Sequence, residues 1–256
     1  MVNFGLIWEL TKRDFTEQYA GSVLGALWAM IWPLVYLVIY IMIFGKLMGG
    51  HLPGESSIYT YGIYVTVGLV PWSAFSSTLN RSCSVFLEKK HIITKLSTSL
   101  PMLLVYVSLS ETITFLITMT IFFVFLVATG YTFHSGLLLV PFIFYLMQLF
   151  AVGFGLLMAT FTVFIRDLKQ IVGIILQFWF WFTPIVYVPQ ILPDLVKRML
   201  VYNPAYIFVQ SFQQLFVYQA DPPYRQLLLL TVLVHGVLVL AYLVFRTLEK
   251  DVRDFI

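Results

Sequence analysis

Residues 137–165 read LLLVPFIFYLMQLFAVGFGLLMATFTVFI, a stretch without a charged side chain. A bilayer core about 30 Å thick is crossed by roughly 20 apolar residues in a helix, and this run exceeds that length. Five more runs flank it. Residues 23–44 and 58–80 are uncharged, and 101–129 carries one acid, Glu111. Residues 171–187 are shorter, aromatic, and end among Pro184 and Pro189, while 226–245 carries one histidine, His235. The pattern predicts an all-α membrane protein, six transmembrane helices in a single transmembrane domain over residues 1–256.

Composition agrees. Of 256 residues, 60% are hydrophobic and 11% charged, against about 25% charged in average soluble domains. So few charges cannot cover a water-facing surface, which excludes a soluble globular enzyme. Disorder is excluded because disordered segments are polar and poor in aromatics. A net charge of +3 gives no case for nucleic acid as a partner. The lone cysteine, Cys83, excludes an internal disulfide and a cysteine metal cluster. No cleavable signal peptide is expected, since about twenty mostly amphipathic residues precede the first apolar run. Aromatics reach 18%, more than Trp and Tyr belts at the membrane interfaces explain.

Lys and Arg positions set the direction. Lys12, Arg13, Arg81, Lys89, Lys90, Lys95, Arg166, Lys169, Arg246, Lys250 and Arg253 fall on one side; Lys46, Lys197, Arg198 and Arg225 fall on the other. The positive-inside rule puts the richer side, and both termini, in the cytoplasm. Six crossings return the chain to its starting side, so count and direction agree.

Three segments outside these runs are informative. In residues 4–19, Phe4, Trp8, Thr11, Phe15 and Tyr19 share one helical face, while Glu9, Lys12, Arg13, Asp14, Glu17 and Gln18 lie away from it. Such a helix lies along the cytoplasmic interface or packs as an ordinary helix on the bundle. The cytoplasmic loop 86–97 holds the densest positive cluster. Helical spacing there puts Leu87, His91 and Thr94 in a row beside Ile92, Ile93 and Leu96, a face that fits a groove on a soluble partner. A simple positive anchor is the alternative. Residues 191–218 predict two half-length helices broken at Asn203-Pro204. In the second, Gln210, Gln213 and Gln214 form a stripe opposite Phe208, Phe212 and Leu215. This reads as a re-entrant or interfacial hairpin. Non-helical backbone at membrane depth needs protein or a water-filled cavity around it.

A catalytic set is missing. The sequence has no G-x-x-x-x-G-K-[ST], G-x-S-x-G, H-E-x-x-H or paired Cys-x-x-Cys motif, and His51, His91, His134 and His235 lack metal-ligand spacing. This chain therefore does not bind ATP through a Walker-type loop. Glu111 reads as a hydrogen-bonded structural carboxyl, and His235 as a buried neutral histidine bonded to a backbone carbonyl. Gly21 and Gly25 form a G-x-x-x-G that permits close helix approach.

The aromatics say more. Trp28, Trp32, Tyr36 and Tyr40 recur every four residues, and Phe44 continues the row; Trp179 and Trp181 alternate with Phe178, Phe180 and Phe182. Lipid contact needs no such density. Sugar rings present apolar C–H faces that stack on aromatic rings while their hydroxyls stay hydrated. These rows are candidate walls of a sugar path, or large side chains packing helix on helix.

Arg13-Asp14-Phe15, Leu24-Gly25, Leu27-Trp28, Pro33-Leu34, Gly68-Leu69 with Trp72, Lys89-Lys90, Leu100-Pro101, Arg166-Asp167-Leu168, Thr183-Pro184-Ile185 and Asn203-Pro204 occur in an order spanning nearly the whole chain. Together they resemble the membrane subunit of bacterial ABC transporters that export polysaccharides such as O-antigen, capsule or teichoic-acid precursors. Lys95-Leu96 stands where that family usually has Phe-Pro, and Thr183 where serine is commoner.

The resemblance implies a multi-pass protein of the bacterial inner membrane. It would pair with a second copy of itself and with two soluble ATPase subunits that hold ATP and Mg, with no cofactor on this chain. Leu87, Glu88, Lys89, Lys90 and His91 would belong to a coupling helix, 86–97, seated on the ATPase. Residues 4–19 would be the interfacial helix. Asn203, Pro204, Gln210, Gln213 and Gln214 would belong to a gate hairpin, 191–218. The cargo would be a glycan on undecaprenyl pyrophosphate. Bare pyrophosphate in hydrocarbon is prohibitive, so Lys12 and Arg13 are candidates to receive it. Arg166-Asp167 competes, although a local salt bridge capping span five suits it. A permease for a small molecule or drug is the alternative function. An integral membrane enzyme would need converging polar or metal-binding residues, which the sequence does not offer.

Overall fold

The computed structural model describes residues 4–18, 21–39, 42, 58–95 and 99–256, and the described residues are helical and contain no strand. The helices are α1 (Phe4–Glu17), α2 (Trp28–Ile39), α3 (Ile58–Glu88), α4 (Lys90–Lys95), α5 (Met102–Ala128), α6 (Val140–Thr162), α7 (Leu168–Trp181), α8 (Asp194–Leu200), α9 (Pro204–Phe216) and α10 (Tyr224–Phe255). Helix α3 is central and packs on α5, α6, α7 and α9; α10 lies along the far side of α6. Small residues permit this. A Cβ on Gly155 of α6 would stand 2.6 Å from the Ser82 Cβ of α3, and one on Gly153 would stand 3.4 Å from the Leu238 backbone of α10.

Among the described residues, three helices are long and apolar enough to cross a membrane: Met102–Ala128, Ser135–Thr162 with its leading 3-10 turn, and Tyr224–Phe255. Of the six predicted spans, the first is described as helix only over Trp28–Ile39. The fifth is corrected: α7 stops at Trp181, about 21 Å from its start. Pro184 lacks the amide that a continuing helix needs and disfavours helical backbone at Thr183 before it. The second prediction ends too early. Helix α3 runs through Arg81 to Glu88 because Cys83, Val85 and Phe86 keep one face buried. The single helix predicted over 86–97 is instead the end of α3, a turn at Lys89, and the six-residue α4; residues 96–98 lie outside the described ones. Helix α10 likewise runs past 245, because Val252 and Ile256 bury themselves in the cluster that also holds Ile7 and Leu10 of α1.

The Gly21/Gly25 motif is corrected too. Both glycines have positive φ, +80° and +50°, and a Cβ on either would meet no atom within 4 Å among the described residues. They shape the turn leading into α2, and among the described residues neither packs one helix against another.

Much of the aromatic excess is core. Phe75, Phe122, Phe150, Phe208, Phe212 and Phe216 are fully buried. Phe115 and Phe144 stack face to face at a centroid distance of 3.6 Å. For these side chains helix–helix packing is the whole explanation.

Candidate functional site: an aromatic and hydroxyl-lined face

The row on α2 behaves differently. Trp28, Trp32 and Tyr36 follow one another ring on ring, the first pair tilted by 33° and the second stacked, with centroids 5.9 and 5.8 Å apart. Four-residue spacing on a helix sets one ring above the next. Trp28 Nε1 donates to the Ser22 hydroxyl at 2.8 Å, which fixes the first ring. Trp32 and Tyr36 remain 51% and 48% exposed. Tyr40 and Phe44 lie outside the described residues. Across from the row stand Thr66 and Ser73 of α3 and Thr114 and Thr118 of α5, enclosing a trough of about 350 Å³.

A second trough of about 400 Å³ adjoins it at Leu69. Trp72, Ser76, Ser77 and Asn80 of α3 line it with Gly173, Gln177 and Phe180 of α7. Ser73, Ser76, Ser77 and Asn80 thus form one polar stripe on a mostly apolar helix, at i, i+3, i+4 and i+7. Ser73 and Ser76 donate to the Val70 and Ser73 carbonyls. Ser73 is exposed and Ser76 half-buried, and each oxygen keeps its capacity to accept. This stripe was not foreseen from the sequence, although its helical spacing is readable there.

Trp179 is turned into the core. It meets Trp72 and Phe75 edge-on, at 6.1 and 5.7 Å, and Nε1 donates to Asn203 Oδ1 at 2.8 Å. Trp181 faces outward, 57% exposed, beside Phe180. Neither lines the two troughs.

At the hairpin, Asn203 caps α9. Its Oδ1 accepts from the Ala205 amide, its Nδ2 donates to Thr183 Oγ1 at 3.1 Å, and Pro204 occupies the first helical position. Tyr61 donates to the Val186 carbonyl at 2.6 Å, Tyr64 to that of Tyr187 at 3.0 Å, and Gln213 to that of Pro184 at 3.1 Å. The break after α7 is thereby held from α3 and α9. Phe208, Phe212 and Leu215 are buried, as the stripe pattern predicted. Gln210, Gln213 and Gln214 border a pocket of about 320 Å³. At 13 residues, α9 is about 20 Å long and does not span.

At the opposite end of α3, the loop residues divide. Lys90 and His91 are exposed. Leu87 and Ile93 pack inward, so the apolar row expected to face a partner is partly used by the core. Glu88 accepts from Ser84 Oγ at 2.6 Å and from Lys169 of α7 at 3.0 Å. Burial raises the Glu88 carboxyl, but the Ser84 hydroxyl and the Lys169 ammonium together outweigh it and leave it below its ordinary range. Lys89 Nζ sits 5.8 Å above the Tyr106 ring. The capping salt bridge expected of Arg166-Asp167 is absent among the described residues. Asp167 stands at the N-cap of α7 without a side-chain capping bond, and Lys169–Glu88 ties that end instead.

Lys12 and Arg13 are exposed on α1, and Arg13 pairs with Glu17 at 2.5 Å. The buried face of α1 is Ile7, Leu10, Thr11 and Asp14, whereas Phe4 and Trp8 point outward. Asp14, expected on the polar side, is buried because it meets Arg81 at 2.6 Å; Glu111 meets the same guanidinium at 2.5 Å. Glu111 is the structural carboxyl expected. His235 is bonded to a carbonyl, that of Thr231 at 2.8 Å, but it is exposed on α10 rather than buried.

No side chain here converges on a reacting atom, and no group of three metal-ligating residues occurs among the described residues. Residues 5–217 match the ABC-2 type transporter family. An O-antigen export system permease protein RfbA of Klebsiella pneumoniae is 30% identical over 217 residues, 84% of this chain and 81% of that one. A second from the same organism is 28% identical with the same coverage. The RfbA of Myxococcus xanthus is 26% identical over 254 residues, 98% of this chain and 95% of that one. With the match reaching from α1 through the end of α9, this chain belongs to the ABC-2 type transporters.

Proposed function

We propose that the chain is the membrane subunit of an ATP-driven exporter that moves a lipid-linked polysaccharide out across the bacterial inner membrane. Two copies form the passage and two soluble ATPase subunits supply ATP and Mg. Each copy crosses six times with both termini in the cytoplasm, the fifth crossing made by α7 together with residues 182–187 after it, and α8–α9 forms a hairpin near the outer face. Leu87 to His91, with α4, meet the ATPase; Lys12 and Arg13 stand where a pyrophosphate head would arrive.

The observation that carries this reading is the Trp28–Trp32–Tyr36 stack standing exposed across a trough from threonine and serine hydroxyls. Facing lipid, the Ser76, Ser77 and Asn80 stripe would gain nothing from its polarity. Facing a glycan, rings and hydroxyls meet C–H faces and sugar hydroxyls with many weak contacts and no deep well. Stacking is sequence-tolerant in the same way on single-stranded nucleic acid. A second copy encloses the open face. The test is export by the chain reconstituted with its ATPase, using lipid-linked glycans of increasing length. Length-dependent loss of export on replacing the stack supports the reading. Export of a small hydrophobic compound with no glycan export would favour the drug-permease alternative.

A further inference from the structure

The pocket beside α9 has a chemistry of its own. Its wall holds three phenols, Tyr64, Tyr206 and Tyr218, and the carboxamides of Gln190, Gln210 and Gln214, and among the described residues no charged side chain lines it. At about 320 Å³ it lies at the small end of ligand pockets, which run from about 300 to 1,000 Å³. Its floor is fixed: Tyr64 and Gln213 spend their donors on the carbonyls of Pro184 and Tyr187. The rest is open. Among the described residues, the carboxamides of Gln190, Gln210 and Gln214 and the hydroxyls of Tyr206 and Tyr218 make no hydrogen bond to protein. Gln210 and Gln214 are half-buried and stand one turn apart on α9, which holds their amides side by side.

This set selects its ligand by exclusion. An apolar molecule would leave the carboxamides unpaired, at a cost for each. An anion would find no cation among the described lining residues to offset its lost hydration. A neutral sugar satisfies both sides. Each carboxamide offers an acceptor and two donors, which suit neighbouring hydroxyls of a pyranose, and the phenol rings give its C–H face an apolar surface. The geometry points to a subsite for one neutral sugar residue, with Gln210 and Gln214 taking hydroxyls and Tyr206 and Tyr218 contacting the ring. It rests on the export reading only for the source of the sugar, a glycan in transit. Recognition itself needs no transport.

The experiment uses the full chain in lipid nanodiscs and saturation-transfer NMR with three probes: methyl β-glucopyranoside, methyl α-mannopyranoside and methyl β-glucuronide. At least one neutral glycoside should receive saturation on its ring protons. The glucuronide should bind at least about tenfold more weakly than the glucoside or mannoside. Gln210→Leu combined with Gln214→Leu should weaken the neutral glycoside about tenfold. Equal binding of the glucuronide, or neutral binding indifferent to the double replacement, overturns the subsite. The probe comparison uses the unaltered chain, so it stands even where the variant fails to fold. No neutral binding by a chain that does export glycan removes the subsite and leaves export intact. Binding through Gln210 and Gln214 in a chain that exports no glycan does the reverse.

Discussion

Arg81 on α3 holds Asp14 on α1, 67 residues earlier, with both carboxylate oxygens 2.6 Å from Nη2. Its other terminal nitrogen holds Glu111 of α5 at 2.5 Å. The side chains are only 30%, 11% and 12% exposed. An amphipathic helix is therefore fastened to the core by a partly buried ion triad, and its placement depends on α3. The same α3 lines both troughs and the sugar pocket and ends at the Glu88 clamp. One helix thus connects every region described above.

Removing Arg81 should harm the protein more than removing either acid. Arg81→Gln orphans two partly buried carboxylates, and breaking such a pair costs about 3–5 kcal/mol. Glu111→Gln leaves the Asp14 pair intact and should cost less. Thermal unfolding of the purified chain should rank Arg81→Gln well below Glu111→Gln, and protease should cut α1 faster only in variants that lose the Asp14 contact.

Gln148 should be more dispensable than its burial implies. It is 5% exposed, accepts from Thr78 and Ser108, and its Nε2 has no partner. Interhelical side-chain bonds in membranes average about 0.6 kcal/mol. Gln148→Leu removes an unsatisfied donor along with two such bonds, so stability should change by under about 1 kcal/mol. A large loss in chemical unfolding would contradict this.

Asn203 should matter more than an ordinary cap. It caps α9, accepts from Trp179, and donates to Thr183. Loss of a cap costs about 1 kcal/mol, and orphaning the partly buried indole of Trp179 adds about 1–3 kcal/mol. Asn203→Ala should therefore cost about 2–4 kcal/mol and shift tryptophan fluorescence. Asn203→Asp keeps the acceptor and should fall between Ala and the unaltered chain.

Acid should loosen the α3–α7 clamp. Glu88 lies below the ordinary carboxylate range when folded. A depressed carboxyl contributes stability above its unfolded value and loses it as pH falls through the folded value. The Tm gap between the unaltered chain and Glu88→Gln should hold near neutrality and close from about pH 4 downward. Glu88 is half-exposed, so the gap should be small. A gap that widens in acid would contradict the clamp.

The sequence made some features legible and hid others, for physical reasons. Long apolar runs fall where α5, α6 and α10 lie, because apolar length is a local property. The glutamine stripe and the break at Asn203-Pro204 were equally readable, since both are set by local sequence. Arg81 read as one more inside-facing cation, because its partners come from helices far away in sequence. Trp179 read as a wall residue, since nothing local shows that Trp72 and Phe75 close over it. The α3 stripe was present in the sequence, masked by an otherwise apolar run.

The most direct test of the central claim replaces Trp32 and Tyr36 together by leucine and measures export of lipid-linked glycans by the chain assembled with its ATPase. Both rings are about half exposed, so the variant should fold and assemble. The account predicts retained ATPase binding and a loss of export that deepens with glycan length. Unchanged export of long glycans would contradict it.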